Sequence, residues 1–473
     1  MQARWHFCPR LRARRIYACW RGTFLQLFVL GLLSTAAPAH AASTQPVGSP
    51  ERESVVVTTG VVPLSLDEAQ RLAVTDQPLL NSRAALIDAQ AQQAVSAAQL
   101  PDPKLLTGLR DVPIDTRDAF NLRRDNFTEF TVGVSQEIPR FNKRRLLGER
   151  KTLEADVARA SLDDEQRAVQ RDTALAWLDV YAAEQGLVLG RRAHAEAALQ
   201  LQAVEKDYVN GRAAQSDWYA AKVDEGIAGD KEHDWLHHVQ LARAELGRWI
   251  GEQEAQRQLG ELVSPAHMQE TANEQRMGGS LADIKAAQSL PQLLLRVETH
   301  PQLRGMQKQI DVATTDIALA KQSYKPDVTI EGYFAYRQDF SDFVGLQVSV
   351  DLPLFTRNRQ DRNLAAAVRL ADASAQQSVD LQRRLRAEVT QRYVDRLHYN
   401  ARLRDFDKLM LPESQQRIEA ARSAYAAGRG TFDAVLLARR SRLDVQLQRL
   451  AVAVDAARAQ VRLRYLVGEG VSR

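Results

Sequence analysis

Along residues 142–209 apolar and small side chains recur at intervals of three and four, at Val169, Thr173, Ala176, Val180, Ala183 and Leu187, with no proline anywhere in the segment. Such intervals lay one stripe down a helix, and a sustained stripe is the seam of a coiled coil. Much of the seam is small, which lets helices approach closely. At 1.5 Å per residue the segment predicts a helix of roughly 100 Å. A second seam runs through Leu364, Val368, Ala371 and Ala375, then Leu381, Leu385 and Val389, with a break expected at Pro412 because its ring clashes with the preceding turn. Both segments end at a glycine, Gly211 or Gly428, where the chain is predicted to reverse and run a further helix to Ile250 or Val467. Glycine suits the reversal because it accepts the left-handed conformation that ends a helix.

A different period holds elsewhere. From Val344 to Leu352, Val344, Leu346, Val348, Val350 and Leu352 alternate with Gly345, Gln347, Ser349 and Asp351. From Phe130 to Ile138 the same alternation is broken on its apolar side only by Gln136. Period two predicts strands with one apolar and one polar face, about ten residues long. Weaker partner strands are expected over Leu105–Val112 and Asp327–Arg337, with Tyr333, Phe334 and Tyr336 as interfacial aromatics. Alternation alone equally fits half-buried strands of a soluble sheet; the surrounding context favours a membrane barrel.

The chain is built twice over. Ile138, Pro139, Phe141 and Arg145 recur 214 positions later as Leu352, Pro353, Phe355 and Arg359, and Tyr208, Gly211 and Arg212 recur 217 later as Tyr425, Gly428 and Arg429. A repeated unit fixes architecture before local signals do. The first copy is expected over 64–252, with a hairpin at 104–138, and the second over 290–469, with a hairpin at 327–352. Residues 253–289, containing Gly278 and Gly279, read as a crossover between them. The spacing falls from 223 to 214 between Pro103 and Pro139, so the first hairpin is longer by nine residues, placed in the polar segment Asp115–Asn126.

Two hairpins give four strands, and four cannot close around a lumen. Unpaired edges facing lipid cost several kcal/mol per group, so such strands must find partners in further copies. Three copies would supply twelve strands and begin to leave a lumen.

Composition changes this picture mainly at the N-terminus. The net charge is +4, but six arginines fall in the first 42 residues, which contain no acid, leaving about −2 elsewhere. A nucleic-acid partner loses its support. The basic stretch, the apolar run Phe24–Leu33 and the small residues Ser34–Ala42 have the form of a secretory signal peptide, expected to span 1–41, followed by an extended lead over 42–63. The apolar run is about half the ~20 residues that a membrane helix needs. Cys8 and Cys19 both precede it, so the mature chain would hold no disulfide, thiolate metal site or lipid-acceptor cysteine.

From Leu64 to Glu469 the chain resembles the TolC-like outer membrane efflux proteins, on Tyr208-Val209-Asn210-Gly211 with Leu246 and Gly251, and on Tyr425-Ala426-Ala427-Gly428 with Leu436, Leu463 and Gly468. The resemblance implies a mainly α fold with membrane β: an internally duplicated chain of long coiled-coil helices and two β-hairpins. It implies a homotrimer with one twelve-stranded barrel in outer membrane lipid and a periplasmic helical tube closed at its hairpin tips. It also implies docking to a periplasmic adaptor and an inner-membrane pump. A narrower likeness is to the heavy-metal branch, which serves resistance-nodulation-division pumps. It rests on Leu100-Pro101-Asp102-Pro103-Lys104, Asp111–Asp115, Gly133-Val134-Ser135-Gln136-Glu137, Lys143-Arg144-Arg145 and Gln170–Leu178. The function it implies is a passive exit duct for metal cations, with no enzyme activity and no cofactor. A multidrug or type I secretion duct, or a soluble periplasmic coiled-coil adaptor, are the alternatives.

Candidate chemistry is sparse. His233 and His237 sit at i and i+4, as in a zincin helix with Asp234 in place of glutamate, but a third ligand is missing, and a solvated helix face accounts for them as well. The tips are more informative. Asn210, Gly211 and Arg212, with Gly428, Arg429 and Gly430, are expected where the tube meets the adaptor, and Asp217 and Asp433 lie within a turn or two. Charged rings at a constriction can select ions, while ordinary helix capping explains the same residues. Ala434 stands where some relatives carry a tip aspartate.

Overall fold

The computed structural model describes residues 63–75, 77–115, 117, 119–123, 125–262 and 289–468. The expected signal peptide and nearly all of the lead, with most of the crossover, lie outside these residues.

Two helices, α1 (Leu66–Thr75) and α2 (Pro78–Ala97), precede a hairpin of β1 (Lys104–Arg110) and β2 (Glu129–Ile138). The long seam forms one uninterrupted helix, α3 (Phe141–Val209), followed by α4 (Gln215–Ile250) and a single turn, α5 (Glu252–Ala255). The second copy supplies α6 (Leu290–Arg296), α7 (Pro301–Gln322), β3 (Val328–Tyr336), β4 (Phe343–Val350), α8 (Gln360–Asp405), α9 (Leu411–Ala426) and α10 (Phe432–Leu466). All six predicted seam positions of α3 are buried. In α8, Leu381, Leu385 and Val389 are buried too, whereas Val368 is exposed.

The break expected at Pro412 does not occur. Residues Phe406–Met410 form a π turn that carries α8 into α9, and Leu411 N–H donates to the Phe406 carbonyl five residues back. Proline offers no N–H and crowds the carbonyl four residues before it. One turn of wider helix lets the axis continue past that crowding. The first copy has no proline at the matching level and stays regular.

The duplication is visible in the packing. Leu246 and Leu463, 217 positions apart, are both buried but in different cores. Leu246 joins Leu64, which precedes α1, and Trp177, Leu178 and Val180 of α3, while Leu463 joins Leu293, Val297, Leu381 and Leu385. Trp177 donates its indole N–H to the Leu64 carbonyl at 3.0 Å, so the first core satisfies its largest polar handle internally.

The strands form one antiparallel sheet in the order β1-β2-β3-β4. The two hairpins are joined by β2 pairing with β3, in a register that sets Gly133 opposite Tyr333 and Ser135 opposite Glu331. The longer hairpin of the first copy is a connection over 111–128 against 337–342 in the second. Arg337 ties the two connections, donating to the Asn126 and Ser341 carbonyls with its guanidinium 3.8 Å over the Phe343 ring. β1 and β4 are each left with one unpaired edge.

Candidate functional site: the sheet and the hairpin tips

The sheet is inside out by the standards of a water-soluble fold. Along β2, Phe130, Val132 and Val134 are exposed while Thr131 and Ser135 are buried, so there the apolar side looks outward and the polar side is covered, whereas Gln347 and Ser349 of β4 are exposed. Register extends that apolar face across the sheet: Leu105, Val134 and Leu346 share one row, and Val132, Phe334 and Val344 another. Exposure reaches 75% at Leu346 and 85% at Val344. A soluble sheet buries this face, because each buried aliphatic side chain is worth about 1.5–3 kcal/mol. Exposing it continuously is favourable only against lipid.

The opposite face carries Lys104, Arg110, Ser135, Glu331 and Gln347. Arg110 bridges to Glu331 at 3.6 Å and lies 5.4 Å from the Tyr333 ring centroid. Tyr333 is flanked by Gly133 and Gly345, and a Cβ at Gly345 would overlap its ring. The aromatic ring therefore lies along the wall, in space that only glycine leaves open. Among the described residues no helix is long and apolar enough to cross a membrane.

At the far end of the helices the two reversals match closely. Gly211 has φ +71° and Gly428 φ +66°, the left-handed region that glycine enters without steric cost. Arg212 N–H donates to the Asp207 carbonyl at 2.7 Å and Arg429 N–H to the Ala424 carbonyl at 2.9 Å, so each turn closes the last carbonyls of the preceding helix. The tips differ in charge. Arg212 pairs with Asp207 at 3.0 Å, whereas the second copy has Ala424 there and Arg429 makes no ion pair within the chain among the described residues. Asp217 opens α4 and Asp433 opens α10, each in the first turn, where a carboxylate favours the helix dipole. Thr431 caps α10 by accepting the Ala434 N–H at 3.3 Å. Asn210 is the exposed C-cap of α3, and Gly430 packs against Ala424 and Tyr425.

The structure brings both tips together. Val204 and Ala221 of the first copy pack on Phe432 and Leu436 of the second, with Trp218 and Tyr425 beside them. Burial pushes the Tyr425 hydroxyl pKa up, and the carboxylates of Asp217 and Asp207 push it further. Asp224 pairs with Arg440 at 2.6 Å just above this cluster.

His233 and His237 are exposed on α4, and among the described residues no group of three potential ligands is disposed to hold a metal. What organises that stretch is Trp235, whose ring fills a notch made by Gly186 and Gly190 of α3. The sequence shows the glycines and the tryptophan but not their meeting. Also unread from sequence is His194, whose Nδ1 lies 2.8 Å from Glu232 and Nε2 3.2 Å from Glu225. Hydrogen bonding to Glu232, then Glu225, raises its pKa.

A sheet with its apolar face outward, two open edges and helical hairpins many turns long defines a membrane-embedded strand assembly continued by helices. The family model described as outer membrane efflux protein matches residues 290–469. The cobalt-zinc-cadmium resistance protein CzcC of Cupriavidus metallidurans is 22% identical over 412 residues, spanning 86% of this chain and 90% of that protein. The outer membrane protein VceC of Vibrio cholerae shares the fold with a TM-score of 0.67 at 16% identity, over 86% of this chain and 97% of its own. CusC does so with a TM-score of 0.68 at 15% identity, over 87% of this chain and 93% of its own. The second copy of the chain thus matches the outer membrane efflux protein family, and the chain as a whole shares its fold with outer membrane channels. Its fold is that of outer membrane channels, with the sheet in the place of their strands and the long helices continuing it.

Proposed function

We propose that the protein is the passive exit duct for heavy-metal cations exported by a resistance-nodulation-division pump, acting as a homotrimer docked to a periplasmic adaptor. The observation that carries the metal assignment is the likeness to the cobalt-zinc-cadmium resistance protein, which spans 86% of the chain. The trimer is supported by the sheet: four strands with two open edges need partners, and three copies make twelve strands with room for a lumen. The units 64–252 and 290–469 act as the two repeats, joined over 253–289. Adaptor docking and gating belong to the tips, at Asn210, Gly211, Arg212 and Asp217, and at Gly428, Arg429, Gly430 and Asp433. Arg429, which lacks the aspartate partner that Arg212 has, is the group best placed to meet another protein there.

A soluble coiled-coil adaptor has no use for an outward apolar sheet face, which argues against that alternative. A multidrug duct shares every feature of the sheet and differs only in its pump. Deleting the gene and measuring growth separates the two. Tolerance to cobalt, zinc or cadmium ions is expected to fall while drug tolerance stays; loss of drug tolerance alone would reassign the duct to a multidrug pump.

A further inference from the structure

The two copies carry opposite charge along their hairpins, and the contact between them inside the chain already uses it. Asp224 of α4 pairs with Arg440 of α10 at 2.6 Å, and Asp179 of α3 bonds Arg458 of α10. In both pairs the acid comes from the first copy and the base from the second.

These pairs also calibrate height. Asp224 stands 13 residues from Gly211 and Arg440 stands 12 from Gly428, while Asp179 and Arg458 stand 32 and 30 away, so the two tips lie level to within about two residue rises, roughly 3 Å. Residues at equal distance from their own tips therefore sit at equal height. Rotation about an assembly axis keeps those heights in a neighbouring copy.

Among the described residues each copy carries an exposed helix face with two like charges and a leucine. On α4 the face carries Asp230 and Asp234, exposed and four residues apart, with Leu241 beyond them at 56% exposure. On α8 and the π turn it carries Arg404 and Lys408, exposed and four apart, with Leu397 beyond at 50% exposure. Among the described residues none of the four charges makes an ion pair within the chain. Asp230 and Asp234 lie 19 and 23 residues from Gly211, and Lys408 and Arg404 lie 20 and 24 residues from Gly428. Leu241 and Leu397 follow at 30 and 31. Two acids and a leucine on one face thus stand level with two bases and a leucine on the other.

We propose that these faces are the seam between neighbouring copies of this chain, with Asp230 against Lys408 and Asp234 against Arg404 of the next protomer. The seam rests on the trimer reading and adds the residues that meet across it. Each acidic first-copy hairpin is flanked on both sides by basic second-copy hairpins, inside the chain through Asp224 and Arg440 and between chains through these four. Rotation about one axis already alternates first-copy and second-copy hairpins, and the complementary charges add attraction across each of those contacts. Exposed pairs are weak singly, and the attraction comes from repetition around the ring.

The test uses the full chain expressed in a Gram-negative outer membrane, with Asp234→Cys and Arg404→Cys introduced together and then oxidised. A covalent ladder ending at trimer is expected, with each single cysteine giving monomer. A ladder closing at dimer would keep the seam and overturn the threefold reading, and no ladder would overturn the seam. Charge reversal supplies the second arm, read by native mass in detergent at low and high salt. Asp230→Arg with Asp234→Arg is expected to weaken assembly about tenfold at low salt, less at high salt, and adding Arg404→Asp with Lys408→Asp restores it. Reversal that leaves the oligomer intact while abolishing adaptor binding would assign this face to the adaptor and overturn the proposal.

Discussion

At the scale of single residues, the wall around Tyr333 is the most sensitive point of the sheet. Its ring occupies the place that a side chain at Gly345 would need. Gly345→Ala is expected to fold, because the ring is the far end of a movable side chain, and to swing the ring off the wall. In a closed barrel that narrows the lumen, so single-channel conductance should fall, and Tyr333→Ala in the same chain should restore it. Unchanged conductance in Gly345→Ala would mean that the ring does not face the pore. His194 supplies a pH-dependent clamp between α3 and α4. Its folded pKa is raised by hydrogen bonds to Glu232 and Glu225. A raised histidine pKa contributes stability that is fully present below the unfolded value near 6.5 and is lost as pH rises through the folded value. The protection factors of amides over residues 191–232, taken relative to the base-catalysed intrinsic rate, are therefore expected to fall from pH 6 to pH 9, and His194→Gln to remove that fall.

At the scale of elements, α3 and α4 are held by shape as much as by their apolar stripe. Trp235 enters the notch of Gly186 and Gly190, where a Cβ on Gly186 would overlap its ring. Gly186→Leu overfills the notch and should cost about 1–3 kcal/mol, seen as a lower melting temperature. Trp235→Ala in the same chain should recover part of that loss, since the two changes share one contact. Additive losses would mean that the notch is not the cause. The seam of α3 was legible from three- and four-residue spacing because each buried position depends on its own helix face. The His233–His237 pair was misleading for a related reason: i and i+4 spacing fixes a shared face, but Trp235 decides which face turns inward. Pro412 predicted a break, and the π turn at 406–410 absorbed it, because packing of α8 and α9 on α10 holds one axis across the site.

At the scale of the whole molecule, the sheet decides where the protein resides. A charge on its outward face has to enter lipid, at a cost of about 2–4 kcal/mol near the bilayer centre and less toward its rims. Leu346→Arg is therefore expected to reduce recovery in the outer membrane fraction, while Gln347→Arg on the opposite face leaves it near normal. Equal recovery of both would contradict the assignment of faces. The alternation along β2 and β4 was plain in the sequence, as was the number of strands. That β2 pairs with β3, fusing two hairpins into one sheet, was not.

The sequence alone determined the duplication, the two periodicities and the reversals at Gly211 and Gly428. Each of these is set by neighbours a few positions apart, through helix and strand geometry and the steric freedom of glycine. Only the tertiary structure decided that along β2 the polar positions are the covered ones and that the tips are level to within about two residue rises. It likewise placed Asp230 and Asp234 at the height of Lys408 and Arg404. Those facts depend on how far one element slides along another, and that is fixed by contacts between residues hundreds of positions apart.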